Sequence, residues 1–398
     1  MRAVILAAGE GRRLRPFTES MPKVMLPVAN KPILEYVVNA VTESGIQDIV
    51  MVLGYKKERI MDYFGDGKEF DARIKYVFQD EQLGTGHALL QAKKEFDTEF
   101  LVLPGDNLID AQMLSQIVDK DGVALLFTQH DMPSKYGVVT VDNDLLTSIV
   151  EKPKEELGHL ISTGIYKFEK AIAKGLEDQV SQGSHTLTGF LQSLLQQGET
   201  IGSVRGDGTW QDAVYPWDLL QVNETALHQC PSTIAGKVER GVEIKGQVLI
   251  GEGTIIRSGS YIVGPVVIGK GCEIGPNACI FPSTSIGDHV TVHAFCELRN
   301  SIVMNDVTMG THSLVAQSVI GEGCTIGANF ATSVGGAYVN LGYSDQFHKV
   351  QNIGCFMGDM CTVGGGVVVD PGCVIGKQCT IGSLSHIAEN VKSESTVV

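Results

Sequence analysis

Short apolar runs alternate with amphipathic stretches along the first half of the chain. Residues 32–43 place apolar side chains at helical spacing, with Pro32 at the start and Gly45 just past the end. Strands are predicted at 3–6, 49–53, 74–78, 100–103 and 201–204, and further helices at 56–64 and 86–96. Strands that alternate with helices are typical of an α/β fold, so we predict a Rossmann-like, mostly parallel sheet with flanking helices.

The second half of the chain repeats every six residues instead. An aliphatic residue recurs at this interval without a break at Ile244, Ile250, Ile256, Ile262, Ile268, Ile274, Ile280, Ile286, Val292 and Leu298. The phase then slips by one residue and resumes, and it returns once more after an irregular stretch at 333–349. This repeat predicts a parallel β-helix whose coils turn aliphatic side chains inward.

Cysteine usage marks the change between the two halves. All nine cysteines lie at or after Cys230, which predicts a domain boundary between residues 1–228 and residues 229–398. Six of them stand four positions after an aliphatic residue of the repeat, namely Cys272, Cys296, Cys324, Cys361, Cys373 and Cys379. No CxxC pair occurs, so we interpret them as small inward-facing residues rather than zinc ligands or disulfides.

Composition and charge narrow the possible functions. The chain is 43% hydrophobic and 19% charged, as expected of a folded globular protein, and its formal net charge is −15. A nucleic-acid binder needs a basic face, so this balance argues against one. The N-terminal apolar run is too short for a signal peptide, and no stretch approaches the roughly 20 apolar residues of a membrane span. We therefore expect a cytoplasmic protein that does not enter a membrane.

The loop after the first strand combines glycine with positive charge. Lys23 follows this loop, which reads Leu6-Ala7-Ala8-Gly9-Glu10-Gly11-Arg12-Arg13-Leu14-Arg15-Pro16. A glycine loop after a strand presents backbone N–H groups to phosphate oxygens, and the cations suit a polyanion. The dinucleotide fingerprint needs glycine where Leu14 stands, and no Gly-Lys-Ser/Thr follows for a Walker A loop. We interpret it as a phosphate-binding loop of another kind, with a solvated turn as the alternative.

Two carboxylates follow predicted strands. Asp106 comes shortly after the strand at 100–103, and Asp212 lies beyond the strand at 201–204. Ligands of parallel sheets bind at the carboxyl ends of the strands, so both are expected at the same edge as Gly9. Mg²⁺ prefers one or two carboxylates with phosphate oxygens and water, which makes both residues candidate ligands. Each could instead cap a turn or a helix.

Together these motifs resemble the nucleotidyltransferase family that acts on sugar 1-phosphates. The resemblance rests on the glycine loop, Pro22-Lys23, Gly105-Asp106, Glu151-Lys152-Pro153, and Trp210-Gln211-Asp212 with Pro216-Trp217-Asp218-Leu219-Leu220. Members of this family join a sugar 1-phosphate to a nucleoside triphosphate and release pyrophosphate. Several carry a C-terminal left-handed β-helix, so the resemblance implies that handedness here.

The resemblance also implies a role for each matching residue. Those expected to bind the nucleotide are Leu6, Ala8, Gly9, Gly11, Gln79, Gly84 and Thr85. Those expected to contact the sugar are Gly137, Glu151, Ser162 and Thr163, with Ser162 standing where the family usually has asparagine. Those expected in catalysis are Arg13, Lys23 and Asp106, and the Mg²⁺ ligands would be Asp106 and Asp212.

The segment at 79–88 bears on the choice of nucleotide. It is similar to the base-binding segment of bifunctional N-acetylglucosamine-1-phosphate uridylyltransferases, in which Gln79 and the Gly84 backbone would read a pyrimidine and Thr85 would lie beside the nucleotide. An amide donates and accepts hydrogen bonds, which suits uracil, and thymine offers the same face plus a methyl group. UTP and dTTP both stay open, as do N-acetylglucosamine 1-phosphate and glucose 1-phosphate.

The repeat half resembles the acetyltransferase domain of those bifunctional proteins, which acetylates glucosamine 1-phosphate with acetyl-coenzyme A. His312 lies between the two matching flanks, at 299–304 and 318–323, and is the candidate base. The family's histidine would fall on Thr311 and its tyrosine on Leu314. Two interpretations follow: an acetyltransferase, or a thymidylyltransferase-like enzyme with a purely structural β-helix.

The resemblance leaves one further class of function, because some relatives with both domains are non-catalytic regulatory subunits or scaffolds. The chain keeps all five residues that the reaction would need, namely Gly11, Arg13, Lys23, Asp106 and Asp212. Their presence favours an enzyme. Left-handed β-helices of this family usually assemble as trimers, which implies a homotrimer.

Overall fold

The structure is a computed structural model that describes residues 1–155, 157–343 and 346–398. The chain divides into two compact units, one formed by residues 1–10 and 33–211 and the other by residues 11–32 and 212–398. The segment at 11–32 belongs to the second unit because it is bonded there. For example, the backbone N–H of Ala29 donates to the Asn223 side chain at 2.8 Å. The predicted boundary at 228/229 stays a prediction about the limits of the domains.

The first unit is built on one large sheet flanked by helices. In spatial order its strands are Arg73–Phe78, Asp48–Leu53, Arg2–Ala7, Glu99–Pro104, Leu160–Glu169, Ala124–Gln129, Gly202–Arg205, Leu145–Glu151 and Gly137–Asp142. The first four of these are mutually parallel. The other side of the sheet is mixed, because Leu160–Glu169 runs antiparallel to both of its neighbours.

Three of the six helices described in the first unit overlap the helices predicted at 32–43, 56–64 and 86–96, and the other three were not predicted. The six helices are Ile33–Glu43, Lys57–Phe64, Thr85–Gln91, Ala111–Val118, Ile172–Ser181 and Leu187–Gln196. Two begin with a side chain that caps a free backbone N–H: Asp110 accepts from Met113 at 3.0 Å, and Thr186 accepts from Gly189 at 3.1 Å. The predicted helix at 86–96 ends early, at Gln91, and a short 3-10 turn, Lys93–Glu95, follows.

The second unit contains a left-handed parallel β-helix. Its short strands stack into three parallel sheets, one for each face of the coil. The first sheet is Thr233–Ile234, Val248–Ile250, Val266–Ile268, Thr284–Ile286, Ile302–Val303, Val319–Ile320, Phe356–Met357 and Val374–Ile375. The second is Lys237–Val238, Ile255–Ile256, Glu273–Ile274, Thr291–Val292, Thr308–Met309, Thr325–Ile326, Thr362–Val363, Thr380–Ile381 and Thr396–Val397. The third is Glu243–Lys245, Tyr261–Val263, Cys279–Ile280, Glu297–Arg299, Leu314–Ala316, Ala331–Thr332, Val368–Val369 and His386–Ile387.

The interior of the β-helix is filled by the repeating aliphatic residues and by cysteine. All six cysteines predicted to face inward belong to this core and are at most 4% exposed. Cys355, which the repeat did not identify, is fully buried with them, and burial raises the pKa of its thiol to about 12. A neutral thiol packed among isoleucines acts as a small hydrophobe, which confirms the packing interpretation.

Three further features complete the second unit. The helix Asp218–Gln229 precedes the coils, and a two-stranded sheet is formed by Pro27–Val28 and Lys31–Pro32. A hairpin of two antiparallel strands, Gly335–Val339 and His348–Ile353, occupies the irregular stretch in the repeat. Over the described ranges, no helix is both long and apolar enough to cross a membrane.

Candidate active site

The carboxyl edge of the parallel strands gathers the glycine loop and the segment around Asp106. Arg2–Ala7 and Glu99–Pro104 pair in parallel, so Ala8-Gly9 and Gly105-Asp106 follow neighbouring strand ends, as predicted for Gly9 and Asp106. The backbone N–H of Gly105 donates to the Leu6 carbonyl at 2.9 Å, and that of Tyr55 donates to the Ala8 carbonyl at 3.1 Å. Leu6, Ala8 and Gly9 therefore lie on one backbone edge with Gly105.

The segment at 79–88, which is predicted to bind the base, folds back on itself at this edge. Gln79 follows the strand Arg73–Phe78, and its Nε2 donates to the Gly84 carbonyl at 3.3 Å and lies 2.8 Å from His87 Nδ1. Gly84 has φ +151°, and a Cβ there would lie 2.5 Å from the His185 carbonyl oxygen. Only glycine fits this position. Because glycine is present, the chain can turn tightly enough for the Gln79 side chain to reach the Gly84 carbonyl.

Thr85 and two histidines complete the segment. The Thr85 hydroxyl accepts a hydrogen bond from the Leu187 backbone N–H at 3.0 Å, so it ties this turn to the helix Leu187–Gln196. The rings of His87 and His185 lie edge to face with centroids 6.2 Å apart. Sequence reasoning assigned no role to either histidine. His87 lies inside the segment at 79–88, whereas His185 is far away in sequence and belongs to no motif.

Two of the predicted sugar residues meet across a hairpin. Gly137 and Glu151 are paired in neighbouring strands, and a Cβ on Gly137 would lie 3.4 Å from the Glu151 carboxylate. The Thr188 hydroxyl donates to Glu151 Oε2 at 2.8 Å. Thr188 was missed from the sequence because no motif links it to Glu151. Thr188 thus orients the Glu151 carboxylate, while the backbone of Glu151 pairs with Gly137.

Ser162 and Thr163 are buried and use their hydroxyls inside the protein. Thr163 Oγ1 donates to the Leu126 carbonyl at 2.8 Å, and Ser162 Oγ lies 3.2 Å from the Tyr166 hydroxyl. Burial raises the pKa of Tyr166 to about 12, so this phenol stays neutral. The strand pairing is irregular between Ser162 and Tyr166, which frees the local backbone from the ladder. The Thr163 carbonyl accepts from the Trp210 indole at 3.3 Å.

Three predicted site residues of the second unit lie together, namely Gly11, Lys23 and Asp212. Lys23 Nζ donates to Asp212 Oδ1 at 2.8 Å, and both side chains are nearly buried, at 12% and 15% exposure. Gly11 has φ +72°, and a Cβ there would lie only 2.6 Å from Lys23 Cβ. Glycine is therefore needed for the lysine stem to pass. The sequence predicted all three residues but not the ion pair that joins two of them.

A turn after Asp212 is held rigid by Asp218. The Asp218 carboxylate accepts hydrogen bonds from the backbone N–H groups of Val214 at 2.9 Å and Tyr215 at 2.8 Å. The rings of Tyr215 and Trp217 stack with centroids 4.9 Å apart. The guanidinium carbon of Arg13 lies 5.9 Å from the centroid of the Tyr215 ring. Arg13 is thus placed over an aromatic face, as in a cation–π contact.

The donors available for a metal are carboxylates. Among the described residues, no three or more histidine, cysteine, aspartate or glutamate side chains group as a metal cage would require. Asp106 and Asp212 offer hard oxygen donors of the kind that Mg²⁺ binds with substrate phosphates and water. Each carboxylate by itself is of the donor type that Mg²⁺ prefers, whereas a structural zinc site needs four nitrogen or sulfur ligands.

His312 occupies an exposed corner of the β-helix. Its φ is +58°, and its backbone N–H donates to the Ala294 carbonyl of the preceding coil at 3.1 Å. Its ring stacks on Phe295, with centroids 5.0 Å apart and planes 18° from parallel. Phe295 and Asn329 stand at the same corner of the coils before and after it and also have positive φ. The ring is open to solvent and available to a ligand.

Two known protein families match different parts of the chain. Residues 2–229 match the family described as nucleotidyl transferase, and residues 262–344 match the GMPPB C-terminal domain. The first match covers more than half of the chain, and the carboxyl-edge glycine loop agrees with it. The chain therefore belongs to the nucleotidyl transferase family, and the predicted class of enzyme is confirmed.

Similar proteins that span both halves narrow this class. The bifunctional protein GlmU of Methanocaldococcus jannaschii is 36% identical over 377 residues, covering 92% of this chain and 89% of the relative. A bifunctional sugar-1-phosphate nucleotidylyltransferase/acetyltransferase of Sulfurisphaera tokodaii is 33% identical over 392 residues, covering 93% of each chain. This chain is similar to bifunctional members along nearly its whole length.

One solved structure supports the fold of the first half. A Bacillus anthracis protein assigned as a glucose-1-phosphate thymidylyltransferase, crystallised with a sucrose, aligns with a TM-score of 0.53 and 26% identity. The alignment covers 57% of this chain and 95% of that one. The predicted Rossmann-like nucleotidyltransferase fold is confirmed.

Proposed function

We propose that this protein joins a sugar 1-phosphate to UTP or dTTP, giving a nucleotide-sugar and pyrophosphate. The observation that carries the proposal is the nearly buried pair of Lys23 and Asp212 against Gly11. In the family's chemistry, that lysine neutralises phosphate charge and that carboxylate binds metal, so their contact joins two parts of one reaction. N-acetylglucosamine 1-phosphate and glucose 1-phosphate are the proposed sugars.

The reaction is an in-line displacement at the α-phosphate. A phosphate oxygen of the sugar 1-phosphate forms the new bond to the α-phosphorus, and pyrophosphate leaves with the electron pair of the broken bond. Backbone N–H groups of Ala8, Gly9 and Gly11 would bind the triphosphate, while Arg13 and Lys23 would neutralise charge that builds up on it. Asp106 and Asp212 would hold Mg²⁺, which when bound supplies positive charge to the phosphate oxygens.

Base recognition would rest on the Gln79 carboxamide. Its Nε2 already points at the Gly84 carbonyl, which can only accept a hydrogen bond. The Gln79 oxygen is then the end that can accept from a ligand, and the N3–H of uracil or thymine is such a donor. Cytosine has a bare acceptor at N3 and would be disfavoured, whereas UTP and dTTP offer the same edge.

Sugar recognition would rest on Gly137, Glu151 and the irregular backbone at 162–164. Glu151 is oriented by Thr188, so its remaining lone pairs can accept from sugar hydroxyls. Because the Thr163 hydroxyl is engaged with Leu126, we propose that the Ser162–Thr163 stretch contacts the sugar through its backbone.

The direct test is a panel of nucleoside triphosphates against glucose, N-acetylglucosamine and glucosamine 1-phosphates, with Mg²⁺ and a pyrophosphate readout. We expect pyrophosphate from UTP or dTTP with one of the first two sugars. If no nucleotide releases pyrophosphate with any of them, the chain is a regulatory or scaffold protein and the enzyme proposal is wrong.

Gly9→Ala is expected to weaken nucleotide binding without weakening the fold. A Cβ at Gly9 would meet no atom within 4 Å, so folding does not require glycine there. A phosphate approaching the backbone would meet that methyl group, and we expect the KM for the nucleotide to rise about tenfold.

Gly11→Ala provides the contrast for that experiment. Its Cβ would overlap Lys23 Cβ in a left-handed conformation, so thermal unfolding should occur at a lower temperature. Should Gly9→Ala also lower the unfolding temperature while leaving the nucleotide KM unchanged, Gly9 is a folding residue and not part of the phosphate loop.

We propose acetyl transfer to glucosamine 1-phosphate, from acetyl-coenzyme A, as a second activity of the β-helix. It is supported by similarity to bifunctional relatives along nearly the whole chain. His312 would take a proton from the attacking amine, since its ring is exposed and its main chain is fixed in the coil. Thiol release from acetyl-coenzyme A in the presence of glucosamine 1-phosphate measures this activity.

His312→Ala is expected to lower thiol release about a hundredfold, because a general base is lost. Pyrophosphate release should not change. His289→Ala is the matched control, since His289 is another exposed histidine at a coil corner with φ +56°. Equal thiol release from both variants would make His312 a structural corner residue and would favour a purely structural β-helix.

We also propose that the β-helix assembles as a trimer and that the protein works in the cytoplasm on small molecules, without nucleic acid. Its acidic charge of −15 and its β-helix support these points. Sedimentation equilibrium of the purified protein tests the assembly. A mass three times that of the chain supports the trimer, and any other mass contradicts it.

A further inference from the structure

The segment that carries Arg13 and Lys23 is bonded to the coils of the β-helix. The Ser393 hydroxyl donates to Glu19 Oε2 at 2.9 Å, and the Ser20 hydroxyl donates to the buried carboxylate of Asp359. A Cβ on Gly358 would lie 2.9 Å from Pro16 Cβ, so this coil and the segment touch. Arg13 therefore belongs to a stretch of chain whose position is set by the β-helix.

A second connection reaches Arg13 from the hairpin formed by Gly335–Val339 and His348–Ile353. The ring of His348 lies against Tyr215, with centroids 4.4 Å apart, and against Trp217, with centroids 5.6 Å apart. Arg13 lies over the ring of the same Tyr215. Tyr215 therefore contacts both His348 and Arg13, and we call these three residues the Arg13 cluster.

Two further aromatic residues, Tyr343 and Trp217, lie beside the Arg13 cluster. Burial raises the pKa of the Tyr343 phenol. The electrostatic interaction with Tyr215 adds to this rise and that with Arg13 opposes it, so Tyr343 lies close to both residues. Trp217 also contacts Phe356 of the coil, with ring centroids 6.2 Å apart. The Arg13 cluster is therefore linked to the coil of the β-helix through Trp217 and Phe356, and to the hairpin through His348.

The hairpin is itself held in place, so His348 can transmit a position. His348 pairs with Val339 in the antiparallel register, and Val339 is 2% exposed. A Cβ on Gly372 would lie 2.9 Å from Val339 Cγ2, so the coil packs directly under this pair. The Asn390 side chain donates to the Asn340 carbonyl at 2.6 Å. The strand Gly335–Val339, which pairs with the strand of His348, is therefore held against the coil at Val339 and just past its end at Asn340.

We propose that His348 is a positioning residue for nucleotidyl transfer, which holds Tyr215 and through it the guanidinium of Arg13. This proposal rests on the role of Arg13 in the proposed function. It assigns the β-helix a part in the first reaction that is separate from acetyl transfer. Contact with His348 limits the orientations that the Tyr215 ring can adopt. Arg13 lies over that ring, so its N–H donors stay directed at phosphate only while the ring keeps its orientation.

The test compares His348→Ala, His348→Phe and Lys349→Ala in the full-length protein. His348→Ala removes the ring, and kcat for pyrophosphate release should fall about fivefold while the KM for the sugar 1-phosphate stays within about twofold. His348→Phe restores a ring of similar shape and should recover most of the rate. Lys349 is the next residue of the same strand, is exposed and points to the opposite face, so its variant should match wild type.

Binding of inorganic pyrophosphate by calorimetry supplies a readout that does not need turnover. Misplacing Arg13 raises the dissociation constant, whereas partial unfolding would lower the stoichiometry and leave the constant unchanged. A wild-type enzyme without turnover would refute the proposed function, and this comparison would still decide the role of His348. The positioning role is wrong if His348→Ala binds pyrophosphate like wild type, or if His348→Phe fails to restore binding.

Discussion

Asp106→Asn is expected to reduce pyrophosphate release about a thousandfold while the protein stays folded. The substitution keeps the shape of the side chain and removes the charge that would bind Mg²⁺, so charge on the phosphates in the transition state loses its compensation. Asp106 follows the end of a buried parallel strand, and its main chain is fixed by the Gly105 hydrogen bond to Leu6. The change should therefore appear in kcat and not in the unfolding temperature.

Asp110→Asn is the matched control for that variant. It removes the same charge four residues away, at a carboxylate that caps the helix Ala111–Val118 and also accepts from the Thr209 backbone N–H at 2.7 Å. Asparagine is also a good capping residue, so we expect nearly normal pyrophosphate release. Thiol release should be unchanged in both variants. Loss of both activities in Asp106→Asn would contradict two independent sites.

The sequence was most informative where one periodicity determines the position of many residues. Parallel strands end at one edge, so the location of Gly9 and Asp106 followed from where their strands stop. The repeat of the second half likewise assigned six cysteines to an interior that was found to be apolar. In both cases the backbone geometry, and not a particular contact, determines the outcome.

The antiparallel side of the sheet was harder to predict. The strands Gly137–Asp142 and Leu145–Glu151 form a hairpin whose two turn residues, Asn143 and Asp144, both have positive φ. That conformation is the hairpin turn that asparagine and aspartate tolerate, so a local signal was present. It was weak because glycine, the strongest marker of such turns, is absent from it.

Contacts between distant residues could not be predicted at all. Lys23 and Asp212 are separated by 189 positions, and the contact between Tyr215 and His348 also joins distant parts of the chain. Lys23 and Asp212 each belong to a motif, yet nothing in the spacing of either motif indicates the partner. Such pairs form because the fold brings the segment at 11–32 onto the second unit, and the order of motifs along the chain does not contain that information.

Lys23→Met is expected to reduce pyrophosphate release by about a hundredfold or more, because the charge on the leaving phosphates loses a nearby cation. It should also destabilise the fold, since Asp212 would keep a nearly buried carboxylate without its lysine, which costs on the order of 3 kcal/mol. Lys31→Met is the control, because it removes a lysine from the same segment at an exposed position. It should leave both the rate and the unfolding temperature near wild type.

The double variant Lys23→Met with Asp212→Asn separates the two effects. Neutralising Asp212 removes the nearly buried negative charge that Lys23 balanced, so the unfolding temperature should rise again towards wild type. Activity should stay lost, because neither the lysine nor the metal-binding carboxylate is restored. If the double variant recovered activity along with stability, Lys23 would serve the fold alone, and the pair of Lys23 and Asp212 could no longer support a role in phosphate chemistry.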